Sequence, residues 1–309
     1  MAAQDFDPTK FIDREFETEL FENLLQCKDQ TRVLAIKDSG GMGKSQLLAK
    51  LVYRCRTVKP RTPVSLIALD QLGENNSSIG LVRQMVHDLE SMDVNFPHFD
   101  TYNDALRSGD YTPFKSIIDL RGATFAGAKD VHLAAFDVQH ADSAQFHYHT
   151  TGTPTLTPKQ QETAEEVCID WFFKELKDSD QADPAHRPVV VMLDAYERCE
   201  KKLQNWIEDE ILEHYVFNLD KRPDRFLLVV AGREIPAFDR RWATEDVKAF
   251  VSSVNQLGKW TRAHVEKCLK VHGFIYESEQ VDDFYGMVRI GMPPSDIVIH
   301  MNTYLRRQA

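Results

Sequence analysis

Few cysteines, no long apolar run and no excess of basic charge set the first limits on this chain. The five cysteines, at 27, 55, 168, 199 and 268, include no CxxC pair, and several sit in apolar helical patterns, which reads as reduced, buried thiols. No stretch approaches the roughly 18 consecutive apolar residues of a membrane span. Met1-Ala2-Ala3-Gln4-Asp5-Phe6-Asp7 lacks a basic region followed by an apolar one, so secretion is not expected and the cytoplasm is the expected compartment. Against 48 acidic residues stand 37 basic ones, a net charge of −11, which argues against direct binding to nucleic acid or to a membrane. The local basic cluster Arg54, Arg56, Lys59 and Arg61 reads as a solvated helix end. No internal repeat or low-complexity tract appears. With 309 residues, 42% of them apolar, the chain suffices for one large core or one domain with a small satellite.

What is present is concentrated at Val33-Leu34-Ala35-Ile36-Lys37-Asp38-Ser39-Gly40-Gly41-Met42-Gly43-Lys44-Ser45, an apolar strand running into a glycine-rich turn that ends in Gly-Lys-Ser. Backbone N–H groups must curl around a polyphosphate, and glycine lets them approach without a Cβ clash. Lys44 would reach the β- and γ-phosphates, Ser45 would offer its hydroxyl to Mg²⁺, and the next helix would aim its positive end at the anion. That helix is readable from Leu47, Leu48, Leu51, Val52 and Cys55 at helical spacing. The usual pattern places a glycine where this chain has Asp38. A carboxylate pointing into an anion site is unfavourable, so Asp38 is expected to point outward or to contact Mg²⁺-bound water.

Along the chain, residues 11–25 predict a helix with Phe16, Leu20 and Leu24 on one face. Val64 to Leu69 reads as a second strand, followed by a helix marked by Ile79, Val82, Val86 and Leu89. From about 93 to 156 the pattern breaks into short pieces and reads as an insertion, with short strands expected around 131–133 and 136–138. His132, His140, His147 and His149 there fit no metal-ligand spacing. Thr157-Pro158-Lys159-Gln160 is a capping box with proline at the first helical position, opening a helix with Val167, Trp171 and Leu176 near one face. Pro188 to Leu193 is a buried strand ending in Asp194. A helix with Leu203, Trp206, Ile207 and Leu212 leads to a strand at 226–231 that ends in Gly232-Arg233. A fifth strand is expected near 249–254, then helices near 261–272, 277–289 and 295–306.

A phosphate loop alone hydrolyses nothing; Mg²⁺ must be held and a water activated. Asp194, at a strand end, suits Mg²⁺ through water, and Glu197 is the candidate to orient or deprotonate the attacking water. Arg233, ending the next strand, is a candidate reporter of the γ-phosphate, and Gly291-Met292-Pro293-Pro294 is a rigid turn able to close over an adenine. The plainer readings are ordinary strand-end charges and a helix start.

In this order the pieces resemble the STAND-class P-loop NTPases, signal-transduction ATPases that include the NACHT and AP-ATPase proteins. Phe11-Ile12-Asp13-Arg14-Glu15 resembles their entry motif of phenylalanine, an apolar residue, glycine, arginine and glutamate, with Asp13 in place of the glycine. Ser39-Gly40-Gly41-Met42-Gly43-Lys44-Ser45 resembles the doubled-glycine phosphate loop. Leu193-Asp194-Ala195-Tyr196-Glu197 is similar to the NACHT-type Mg²⁺ strand, and Ala231-Gly232-Arg233 to the strand-end sensor arginine. Gly291-Met292-Pro293-Pro294 resembles the Gly-Leu-Pro-Leu turn of the helical lid.

The resemblance implies an α/β P-loop NTPase fold. Its parallel five-stranded sheet, of order 5-1-4-3-2, would be sandwiched by helices in residues 1–256, with a small helical lid at 257–309. It implies ATP or ADP, ATP preferred over GTP, with Phe11, Ile12, Arg14 and Pro293 at the base. Ser39, Gly40, Gly41, Met42, Gly43, Lys44, Ser45 and Gln46 would surround the phosphates. Ser45 and Asp194 would hold Mg²⁺, partly through water, and Lys44, Asp194, Glu197 and Arg233 would be catalytic. The implied function is a slowly hydrolysing regulatory switch, closed with ADP and opening or forming a homo-oligomer with ATP. Since the sequence starts shortly before the entry motif and stops after the lid, either its effector or sensor proteins are expected in trans or it is a separated core module. Two other functions compete: a non-hydrolysing nucleotide-bound scaffold that presents the insertion, and a small-molecule P-loop kinase. The kinase is disfavoured because Asp194 lies beyond a long excursion, on a separate strand.

Overall fold

Five short runs of β-branched and leucine residues form the strands: β1 Val33–Lys37, β2 Val64–Ala68, β3 Val189–Asp194, β4 Phe226–Gly232 and β5 Val251–Val254. The computed structural model describes residues 6–73, 76–114, 124–125, 154–182 and 187–305. All five strands pair in parallel in the order β2-β3-β4-β1-β5, which is the order 5-1-4-3-2 read from the other edge. Parallel sheets are covered on both faces, and accordingly β1 is buried up to Ile36, β3 up to Leu193 and β4 throughout. Because β4 lies between β1 and β3, the phosphate loop and Asp194 stand two strand spacings apart, about 10 Å, at the same carboxyl edge.

The helices that position the site are α1 Glu15–Leu25, α2 Lys44–Thr57 and α3 Ser78–Glu90. In α1 the inward face carries Phe21 and Leu24, while Phe16 is 63% exposed. Of the expected face, Leu24 is buried and Leu20 packs against the same core, and Phe16 in the first turn departs from it. Leu47, Leu48 and Leu51 of α2 meet Leu34 and Ile36 of β1 in the main core.

The chain divides into two compact units, Met1–Asn95 with Leu176–Ala309, and Phe96–Glu175. Within the second lies α4 Pro97–Ser108, a helix where the pattern predicted only fragments. Phe99 and Ala105 are buried beside Asn103, and Pro97 occupies the first position of the helix. A distant carboxylate supports it: Glu175 accepts from the N–H groups of His98 (2.8 Å) and Phe99 (3.0 Å) at the first turn. Glu175 lies on α5 Pro158–Ala182, which begins with the expected capping box, Thr157 N–H to Gln160 Oε1 at 2.9 Å and Gln160 N–H to Thr157 Oγ1 at 3.3 Å. The buried stripe of α5 runs through Cys168, Phe172 and Leu176. Trp171 sits beside it, stacked on His98 with ring centroids 4.4 Å apart. Thr124–Phe125 pairs antiparallel with Pro154–Thr155. The strands expected at 131–133 and 136–138, and the four histidines from 132 to 149, lie outside the described residues.

Between β3 and β4, α6 Lys201–Trp206 passes into a π-helix over Ile207–Phe217. The wider turn explains why Ile207, Ile211, Leu212, Tyr215 and Val216 are buried together. Two short helices, α7 Phe238–Arg241 and α8 Thr244–Phe250, precede β5, and α9 Arg262–Val271, α10 Ser278–Arg289 and α11 Pro294–Leu305 follow it. These last three share a separate core of Val265, Leu269, Phe284, Ile297 and Met301, joined by Ile12 and Trp260. Among the described residues, no helix is long and apolar enough to cross a membrane.

Candidate nucleotide site

A cleft of about 1320 Å³ opens at the carboxyl ends of β1, β3 and β4, the place where ligands bind in open α/β sheets. Gly40 to Gln46, Asp194, Glu197 and Arg233 line it, together with Phe11, Ile12 and Arg14 of the entry segment. The geometry of the loop follows from its glycines. Gly41 and Gly43 take φ of 76° and 92°, and Gly43 is the residue from which α2 departs. A side chain at 41 has no room, since a Cβ there would stand 2.5 Å from Ser295 Oγ and 2.9 Å from Pro293 Cβ.

Lys44 folds over the loop and donates from Nζ to the carbonyls of Asp38 (2.7 Å) and Ser39 (2.8 Å). Burial pushes its pKa below the ordinary lysine value, against the opposing fields of Glu197, Asp38 and Asp194. Ser39, predicted to join the phosphate cradle, is not among the residues that line the cleft, and its N–H donates to Asp38 Oδ1 at 2.6 Å. The Asp38 carboxylate leaves the cradle, with Oδ2 accepting from Leu257 N–H at 2.8 Å. The carboxylate thus takes the outward orientation expected of an acid at this position.

Asp194 closes β3, and its Oδ1 accepts the N–H of Ala195 at 2.9 Å. Ala195 takes φ 57°, and this left-handed residue sends the next two side chains apart. Tyr196 goes inward, donating its hydroxyl to Glu208 at 2.7 Å, and burial raises its pKa first, with the Glu208 bond adding to it. Glu197 turns to the end of β4, where Oε2 accepts from Arg233 N–H at 2.8 Å and Oε1 lies 3.7 Å from Arg233 Nε. The Arg233 guanidinium rests on Gly40, within 2.7 Å of where a Cβ would sit. Hard oxygen donors from Ser45 and Asp194 in one cleft fit Mg²⁺, which is held by one or two carboxylates plus phosphate oxygens.

In the entry segment Arg14 is 4% exposed. Its Nη2 donates to Met42 O (2.8 Å), and Nη1 to Gly258 O (2.7 Å) and Asp13 Oδ2 (3.0 Å). Phe11 carries Lys50 Nζ over its ring, 4.4 Å from the centroid, and Phe6 packs on it with centroids 5.7 Å apart. Pro293 lies against Gly41, while Pro294, Ser295 and Val298 form the cleft wall. Trp260, Cys268 and His272 complete that wall, and burial pushes the Cys268 thiol up to about 11. Sequence reasoning passed over these three, because Cys268 and Trp260 read simply as apolar positions and nothing local marks which face of α9 meets the entry segment.

No protein-family model matches the chain. No curated protein matches it either. Among solved structures it is similar to that of the Aeropyrum pernix ORC2 protein in its ADP form, at 12% identity and a TM-score of 0.44, over 96% of this chain. The match spans 65% of the ORC2 chain's length.

Proposed function

We propose that this chain is an ATP-binding, slowly hydrolysing regulatory switch of the STAND type, with residues 1–256 as nucleotide-binding domain and 257–309 as lid. One observation carries the reading: Lys44, Ser45, Asp194, Glu197 and Arg233, drawn from three strand ends, line a single cleft with the glycine loop. Lys44 and the loop N–H groups bind the β- and γ-phosphates, and Ser45 with Asp194 would hold Mg²⁺, which would supply neutralisation of phosphate charge. Glu197 accepts the proton of the attacking water. Arg233 meets the γ-phosphate, and in doing so gives up its side-chain contact with Glu197. Glu197 Oε2 stays bonded to the Arg233 main-chain N–H at 2.8 Å when the guanidinium leaves, so one oxygen of the base remains committed, which supports slow turnover. Phe11, Ile12 and Arg14, with the turn at Pro293, take the adenine end.

Calorimetry tests this directly. Mg²⁺-ATP binding should fall by at least about 100-fold in Lys44→Ala, a loss of about 2.7 kcal/mol, and phosphate release should vanish in Asp194→Ala and Glu197→Gln. Unchanged affinity in Lys44→Ala refutes the site. Growth of the particle mass with an ATP analogue but not with ADP supports the switch and a nucleotide-dependent homo-oligomer. The contact of Glu197 with Arg233 also favours a second reading, a nucleotide-bound scaffold that does not hydrolyse; sustained Glu197-dependent phosphate release excludes it.

A further inference from the structure

Both oxygens of Asp38 are committed to main-chain N–H groups, one to Ser39 beside it and one to Leu257, 219 residues away. Leu257 is buried and belongs to the segment joining β5 to α9. One residue further on, Gly258 O accepts from Arg14, whose other nitrogen holds Met42 O in the phosphate loop. A third contact joins the same parts, Ser295 N–H at the start of α11 to Gly41 O at 3.3 Å. The loop and the C-terminal helices are therefore bonded at residues 38, 41 and 42, and only the bond from residue 38 depends on a side chain of the loop itself. Glycine at that position would make none.

Lys44 supplies the connection to ligand. Its ammonium donates to the carbonyls of Asp38 and Ser39, and β- and γ-phosphate oxygens compete for those same donors. Moving the ammonium to phosphate removes two bonds from the backbone of 38–39. The Asp38 carboxylate then remains as the side-chain link between that turn and Leu257, a charge-assisted bond stronger than a neutral one.

We propose that Asp38 is a positioning residue that couples the phosphate loop to the 255–258 segment, so that engagement of Lys44 by a polyphosphate is transmitted to the C-terminal helices. This rests on the nucleotide reading of the cleft given above, and it assigns a role to the residue by which the loop departs from its usual pattern.

The test is amide hydrogen exchange of the full chain across 255–261, without nucleotide, with Mg²⁺-ADP and with Mg²⁺-ATPγS, in wild type, Asp38→Asn and Asp38→Gly. In wild type the nucleotides should change the exchange rate at Leu257. In Asp38→Gly that amide should exchange at least about tenfold faster, and the difference between nucleotide states should disappear while both nucleotides still bind. Asp38→Asn, which keeps a single acceptor oxygen, should fall between, and it carries the same comparison if the glycine variant does not fold. A nucleotide response at Leu257 that persists undiminished in either variant overturns the coupling alone. So does tighter nucleotide binding in Asp38→Asn with Leu257 exchange unchanged, which would make the residue a charge and nothing more. Failure of wild type to bind either nucleotide overturns the site reading, and the coupling with it.

Discussion

In the phosphate loop Gly41 and Gly43 take φ of 76° and 92°, whereas in the entry segment Asp13 and Arg14 take 69° and 81° with no glycine between them. Each pair introduces a helix: α2 departs from Gly43 and α1 from Arg14. The backbone demand is the same, and the left-handed region costs an L-residue about 1–2 kcal/mol. Glycine removes that cost within the residue itself. Asp13 and Arg14 offset it with long-range bonds: the Asp13 carboxylate accepts Arg14 N–H at 2.7 Å, and the Arg14 guanidinium reaches Met42 and Gly258. One turn is therefore held by residue type and the other by its surroundings, and substitutions separate the two.

The largest effect is expected where the surroundings carry the turn. Arg14→Ala leaves two main-chain carbonyls without their donor and an unrelieved left-handed residue, for a loss of about 3 kcal/mol in urea unfolding. A loss below about 1 kcal/mol would mean that the entry turn holds itself. Next comes Gly41→Ala, which combines φ 76° with collision against Ser295 and Pro293; about 2 kcal/mol of stability should go. Nucleotide affinity should fall in parallel. A neutral result would show that the loop's glycine is not demanded by its shape.

The two cores behind these turns are compared by alkaline titration. Burial pushes the thiol of Cys55, in the last turn of α2, up to about 12, and that of Cys268, packed with Ile12 of the entry segment, up to about 11. Above the ordinary thiol value of 9.0 the unfolded chain loses these protons while the folded chain keeps them. The unfolded state then binds fewer protons, and stability falls as pH rises, by up to about 1.4 kcal/mol per pH unit for each thiol. Denaturation from pH 8 to 10.5 should show a shallower decline in Cys55→Ala and in Cys268→Ala than in wild type; equal slopes would contradict the burial of these thiols. The smallest effect is expected at Ala195, which takes φ 57° behind Asp194. Ala195→Gly relieves the left-handed cost but frees the unfolded chain, for a net gain of about 0.5 kcal/mol. A measured loss would mean that the alanine methyl packs to more effect than its strain.

Legibility in the sequence followed the range of the forces involved. Continuous apolar runs located β1, β3 and β4, the mixed segments at 64–69 and 249–254 located β2 and β5, and the helices around Leu47 and Ile79 were readable because their buried faces repeat at 3.6 residues. The helix at Pro97 was not, because its first turn is capped by Glu175, distant in sequence. The π-helical stretch from Ile207 kept its apolar residues but shifted their period, and Phe16 was assigned to a face of α1 on which Leu20 and Leu24 reach the core and Phe16 does not. At the site, the glycine loop was legible as a local conformational requirement. The wall formed by Trp260, Cys268 and His272 was not, since it exists only where α9 meets the entry segment.

By itself the sequence determined where the five sheet strands and the strongly periodic helices form and which turn needs glycine, because backbone sterics and hydrophobic periodicity act within a few residues. The tertiary structure alone decided that the carboxylate at 38 reaches Leu257, that Arg14 is buried between the loop and Gly258, and that Glu197 ends on Arg233. Those bonds join residues whose only relation is the order in which parallel strands assemble.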